Sequence, residues 1–202
     1  MNESFAALHF APEPFKLENE KGSMVTFKTA DGKEAHAYLV KSSTPTDKVV
    51  FMFHEWWGLN DYIKREAENL QAELGNADVY ALDLYDGKIA ITVPEAQKLM
   101  GEMKDDRSKA IIKGAIAMVG KKKIASIGWC MGGAWSLQSA LLEGKHAVGC
   151  VMYYGMPETD LKKLKTLHGD VLGIFALRDG FITPEIVKTF QANMKLLKKN
   201  IT

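Results

Sequence analysis

The chain has 202 residues, 47% of them hydrophobic and 25% charged, with 26 Lys+Arg against 25 Asp+Glu and a formal charge of +1. That balance gives no electrostatic case for a nucleic-acid partner, and the length suffices for one sizeable core, so a single domain over residues 1–202 is expected. The opening MNESFAALHFAPEPFKLENE has neither a basic n-region nor a continuous apolar run, and Cys130 and Cys150 supply neither a disulfide framework nor a zinc spacing. A cytoplasmic protein is expected, with no membrane span, metal or cofactor.

In chain order, residues 24–40 read as two strands, MVTFK and EAHAYLV, joined by the turn former ADGK, an antiparallel hairpin at one edge of a sheet. After the polar SSTPTDK comes the apolar strand VVFMF (49–53). The segment 61–75 then places Ile63, Ala67, Leu70 and Leu74 on one helical face. ADVYALDLY (77–85) reads as strand, 94–120 as helix in one or two pieces, KIASIG (123–128) as strand and GAWSLQSALLEG (133–144) as helix. AVGCVMYYG (147–155) and DVLGIFALRD (170–179) are further strands, and 183–200 is a helix with Pro184 in its first turn. Strands that are nearly all apolar, alternating with helices, predict an α/β fold with a mostly parallel central sheet covered on both faces.

The stretch IGWCMGG (127–133) falls between a strand and a helix, at the carboxyl end of a strand where α/β sheets collect their chemistry. Gly128-Trp129-Cys130-Met131-Gly132 is G-x-C-x-G, a nucleophile elbow with cysteine in the serine position. The sharp turn predicts a positive or near-positive φ at Cys130 and glycine wherever a Cβ would strike the neighbouring strand or helix. The helix start beside the sulfur favours thiolate. A buried structural thiol is the competing reading for any cysteine. It is the one that fits Cys150, which lies inside a strand with no turn beside it.

An elbow needs an oxyanion hole and an acid. The hole is expected from the amide of Met131, the residue after the nucleophile, and the amide of Trp56 in HEWWGLN (54–60), the loop after the 49–53 strand. The two tryptophan side chains read as apolar lining. Glu55 at the end of a buried strand demands a partner. In the order nucleophile, acid, histidine, Asp179 of LRDGFITP stands where the acid belongs, while Asp83 reads as structural.

FHEWWGLN, LDLYDGK, IGWCMGG, YYG and LRDGFITP, in that order, resemble the dienelactone hydrolase family of α/β-hydrolases, from about residue 24 to about residue 200. The resemblance implies that Cys130 is the nucleophile and Asp179 the triad acid. It further implies that Glu55 contacts the resting thiol and helps activate it when substrate enters. Trp57, Tyr85 and Lys88 are the candidates to touch a small ester or lactone. Dienelactone-cleaving members carry an arginine after DLY that holds the substrate carboxylate; here Asp86, Gly87 and Lys88 follow, and an ammonium lacks the bidentate fork of a guanidinium.

The triad histidine of that family follows the acid after a helix and another strand, about 25–35 residues on, so it is expected beyond Thr202, with the family's last strand and helix. Among the five histidines, His9 and His36 lie in the N-terminal region, His146 begins a strand and His168 sits at an amino end. Only His54 neighbours the site, where local bonding is its expected role. Two functions follow: a thiol hydrolase of esters or enol-lactones, acting as a monomer or weak homo-oligomer, or a non-catalytic relative that binds a small ligand. If residues 1–202 are the whole molecule, the apolar face of the last helix (Val187, Phe190, Met194, Leu197) is expected to be partly exposed or shared with a second chain.

Overall fold

The computed structural model describes residues 11–202. Strands β1 (Ser23–Lys28), β2 (Glu34–Val40), β3 (Lys48–Phe53), β4 (Asp78–Leu82), β5 (Lys123–Trp129), β6 (Ala147–Tyr153) and β7 (Asp170–Ile174) form one sheet in the order β1-β2-β4-β3-β5-β6-β7. β2 pairs antiparallel with β1 and β4, and every other pairing is parallel. The helices are α1 (Asp61–Leu74), α2 (Val93–Glu102), α3 (Asp105–Val119), α4 (Met131–Glu143), α5 (Leu161–Lys165) and α6 (Pro184–Leu196). The expected α/β architecture and N-terminal hairpin are present, and 94–120 divides into two helices. The hairpin's first strand, β1, forms the sheet edge. One element has no counterpart in the sequence reading: α5, a single short turn capped by Asp160.

Period-two burial builds the core on both faces. Val49, Phe51 and Phe53 of β3 pack with Ile111, Ile112 and Ala115 of α3 and Trp135 of α4, while Val50 and Met52 pack with Ile63 and Ala67 of α1. Burying a side chain of this size contributes about 1.5–3 kcal/mol. Because β4 lies on one side of β3 and β5 on the other, the chain reverses direction across the sheet at β3 and β5. Their carboxyl ends flank the crevice where a doubly wound sheet binds its ligand.

The expectation for the last helix is met at two of its four residues and not at the other two. Phe190 and Met194 of α6 are 2% and 0% exposed because they pack with Leu137, Cys150, Met152 and Val171 under β6 and β7; Val187 and Leu197 are half-buried. α6 also ends earlier than 200. Residues 200–202 turn onto the outer edge of β7, where Ile201 bridges Val171 in parallel and Gly173 N–H donates to the Thr202 carbonyl at 2.9 Å. The 170–179 strand likewise stops at Ile174, and 175–183 is loop.

Residues 12–21 lie along α1. Tyr62 Oη donates to the Glu13 carbonyl (2.8 Å), Leu17 N–H to Asp61 (3.0 Å) and Lys21 N–H to Glu68 Oε1 (2.6 Å), while the Phe15 ring stacks on Tyr62 at 4.8 Å.

Candidate active site

The elbow is built as the glycines predict. Cys130 has φ 55° and ψ −123°, between the end of β5 and the start of α4. A Cβ at Gly128 would lie 2.1 Å from the Gly132 carbonyl oxygen, and one at Gly132 would lie 2.4 Å from the carbonyl oxygens of both Phe53 and His54. Glycine at these two positions lets β5, α4 and the end of β3 touch backbone to backbone, and that contact holds Cys130 in its strained conformation. Cys130 N–H donates to the Tyr153 carbonyl at 3.0 Å, tying the elbow to β6 as well.

The pull of the helix start toward thiolate is opposed at Cys130. Burial pushes the Cys130 thiol up to about 11; the Met131 amide bonding the sulfur pulls the other way, and the charges of Glu55 and Asp179 add to the rise. The helix-start effect read from the sequence is outweighed by desolvation and by two carboxylates that arrive from the ends of other strands. Desolvation and these two charges favour the neutral thiol. Glu55 is half-buried, and Tyr154 Oη donates to its Oε1 at 3.4 Å.

The remaining candidates take distinct positions. Asp179 lies in the loop after β7, where its Oδ1 accepts the amides of Phe181 (2.7 Å) and Ile182 (3.0 Å), fixing the carboxylate by one oxygen. Trp56 is buried against Trp57, Ala90 and Ala96, as apolar lining should be. Tyr85 Oη donates to Met131 Sδ at 3.4 Å, and burial raises the phenol, with the nearby Cys130 second. Lys88 is exposed on the turn after β4; its carbonyl faces Gly58, and its side chain lies outside the cleft beside Glu55. Asp83 accepts the amides of Tyr85 (2.9 Å) and Gly87 (2.5 Å) and closes the DLYDG turn that Lys88 follows.

His54 is fully buried. Its Nε2 accepts the Leu84 amide at 3.1 Å, so Nδ1 carries the proton and donates to the Glu55 carbonyl at 2.6 Å. Both nitrogens serve the backbone, and burial holds the ring below its ordinary pKa. His36 lies on the exposed hairpin, bonded to Thr26, and His146 and His168 precede β6 and β7 at their amino ends. His9 lies outside the described residues. Cys150 is buried with its sulfur 3.4 Å from Ser136 Oγ, in a structural setting.

The cleft beside Glu55 has a volume of about 370 Å³. Its walls include Trp57, Trp129 and Tyr154 from strand ends, Tyr62 and Arg65 from α1, and Pro12 from the N-terminal segment. Arg65 stacks over the rings of Phe15 (4.8 Å) and Tyr62 (5.2 Å). The sequence reading missed Tyr62, Arg65, Trp129, Tyr154 and Pro12. The aromatics on either side of the GxCxG motif and in YYG were a usable signal; nothing local marks Pro12 or Arg65.

Comparison with known proteins bears on the family and the fold. A protein of Aquifex aeolicus (strain VF5) named as a carboxymethylenebutenolidase is 27% identical over 180 residues, covering 82% of this chain and 75% of that protein. A Saccharolobus solfataricus protein of the same name is 27% identical over 214 residues, covering 85% and 81%. Among solved structures, a dienelactone hydrolase-like promiscuous phosphotriesterase from metagenomic libraries superposes with a TM-score of 0.71 at 21% identity, covering 90% of this chain and 80% of that one. An esterase of Pyrococcus furiosus gives 0.70 at 17% identity, covering 95% and 87%; both likenesses establish the fold. The family model described as the dienelactone hydrolase family matches residues 35–202, and the chain belongs to that family.

Proposed function

We propose that the protein hydrolyses small carboxylic esters or lactones through a covalent acyl-cysteine at Cys130. The observation that carries this reading is the left-handed Cys130, set on a strand–helix elbow with the Met131 amide at its sulfur and the charge of Glu55 near enough to act on it. When substrate enters, the Glu55 carboxylate takes the proton from the thiol, and the resulting sulfur lone pair attacks the ester carbonyl carbon. The carbonyl electron pair moves to oxygen, where the amides of Met131 and Trp56 receive it. That pair returns, the C–O bond breaks, and the alcohol or enol leaves with a proton. Water then adds to the thioester, loses a proton to a base, and the acid departs as the S–C bond breaks. The base is proposed to be a histidine beyond Thr202, oriented by Asp179; both nitrogens of His54 are already committed to backbone. Trp57 and Tyr85 border the acyl group, no cofactor is required, and the two free cysteines suit a reducing cytoplasm.

The raised thiol favours a second reading, a binding protein with an inert cysteine. An activated ester distinguishes the two. Acylation of Cys130 seen as a mass increase, absent in Cys130→Ser at that site, supports the hydrolase. A chain that binds the ester without acylation at any pH from 6 to 9 supports the binder.

A further inference from the structure

Two residues in the site are held at positive φ without being glycine, and only one of them is the expected nucleophile. The other is Tyr154, with φ 38°, immediately after β6. Left-handed backbone costs a bulky L-residue about 1–2 kcal/mol, so the neighbours must impose it. They do so from both sides. Tyr154 N–H donates to the Ile174 carbonyl of β7 at 2.7 Å, the preceding carbonyl accepts from Cys130, and Gly155 is pressed against the elbow so closely that a Cβ there would lie 2.3 Å from Ala134 N. Tyr153 stacks on Trp129 (centroids 5.6 Å, planes 20°) and meets the Tyr154 ring edge-on at 6.4 Å. The clamped backbone aims the phenol into the cleft, where its hydroxyl donates to Glu55 Oε1 at 3.4 Å.

We infer that Tyr154 is a positioning residue: its strained backbone delivers the phenol that holds the Glu55 carboxylate against the Cys130 sulfur. This rests on the hydrolase reading and deepens it. Tyr154 also lines the cleft, so an acyl group that fills the cleft meets the residue that holds Glu55, and substrate entry becomes coupled to the placement of the proton acceptor. The bond from Tyr154 is long, and so weak.

The test is a double-mutant cycle on Cys130 alkylation by iodoacetamide, followed by mass spectrometry of the Cys130 peptide, with buried Cys150 as internal reference. It needs no turnover. The ionisable groups facing the sulfur are Glu55 from the end of β3, Tyr85 from beyond β4, Tyr154 from β6 and Asp179 from beyond β7; Arg65 and Glu66 of α1 border the same cleft. Removing the Glu55 charge lowers the thiol. One unit gives about tenfold more thiolate at pH 8, each about threefold less nucleophilic, for a net gain of about threefold. Glu55→Gln is expected to show that gain, and Tyr154→Phe to show it too, with the pH profile moved down in both. The double variant is expected to be no faster than Glu55→Gln. An unchanged or slower rate in Tyr154→Phe, or gains that multiply in the double variant, would overturn the inference. Tyr154→Asn, which tolerates positive φ, serves if the Phe variant does not fold. Ester acylation in the same proteins is a separate readout: its absence alongside a coupled cycle would refute the hydrolase reading and leave the positioning role standing.

Discussion

Replacing Glu143 by Gln isolates a pH-dependent cost that the fold carries beneath the elbow helix. Glu143 is the last residue of α4 and 3% exposed; Ser139 Oγ donates to its Oε1 at 2.6 Å, while Oε2 has no hydrogen-bond partner. Burial pushes the carboxyl up to about 8 from an ordinary 4.5, and a negative charge at a helix C-terminus is unfavourable in itself. The folded chain therefore binds this proton more tightly than the unfolded chain does. The stability it supplies is complete below about pH 4.5 and is lost progressively as pH rises toward about 8, where the carboxyl must ionise in place. At about 1.4 kcal/mol per unit the whole loss is at most about 5 kcal/mol, and partial water entry lowers that to about 3. Glu143→Gln does not titrate. Urea unfolding of both proteins from pH 4.5 to 9 should give free-energy curves that separate steadily in favour of the Gln variant. Parallel curves over that range would refute the placement of a neutral carboxyl at this site.

Gly132→Ala should cost at least about 2–3 kcal/mol, because its Cβ would meet two backbone carbonyls at 2.4 Å; Gly101→Ala, on exposed α2 with open space around it, should raise stability by about 0.5–1 kcal/mol in the same thermal melts. Asp179→Asn keeps an oxygen for the Phe181 and Ile182 amides, so the melting temperature should hold; deacylation by a chain carrying the triad histidine should fall about 10³–10⁴-fold in a stopped-flow assay. Arg107, 13% exposed in its side chain, joins Asp86, Asp31, Thr29 and the Glu34 carbonyl. Arg107→Ala should cost about 1–2 kcal/mol in urea unfolding while leaving Cys130 alkylation unchanged.

The sheet was legible because β3 and β4 are apolar after one charged residue each, while α1 between them carries a 3.6-residue stripe, and both patterns act locally. Cys130, its glycines and Asp179 were legible for a similar reason: an elbow and the loop after a strand have short signatures. The ionisation of Cys130 was not. It depends on Glu55, which is 75 residues away in sequence, and on a depth of burial set by the whole cleft. The turn that precedes Lys88 was not legible either, because it is closed by Asp83, whose two backbone bonds form only once the chain folds back. Tyr154 carries no sequence mark of its strain, since φ is imposed by β7 and the elbow rather than by the tyrosine. The covered face of α6 reflects packing under β6 and β7, which its own periodicity does not disclose.

The segment that runs along α1 has a practical and an evolutionary consequence. Pro12 forms part of the cleft wall, and Phe15 braces Arg65, so a segment that contributes no strand to the sheet shapes the cleft beside Glu55. Comparisons of ligand binding or kinetics between preparations should therefore hold residues 12–21 identical. Replacements in this segment also offer lineages a way to reshape the cleft while the elbow and its glycines stay as they are.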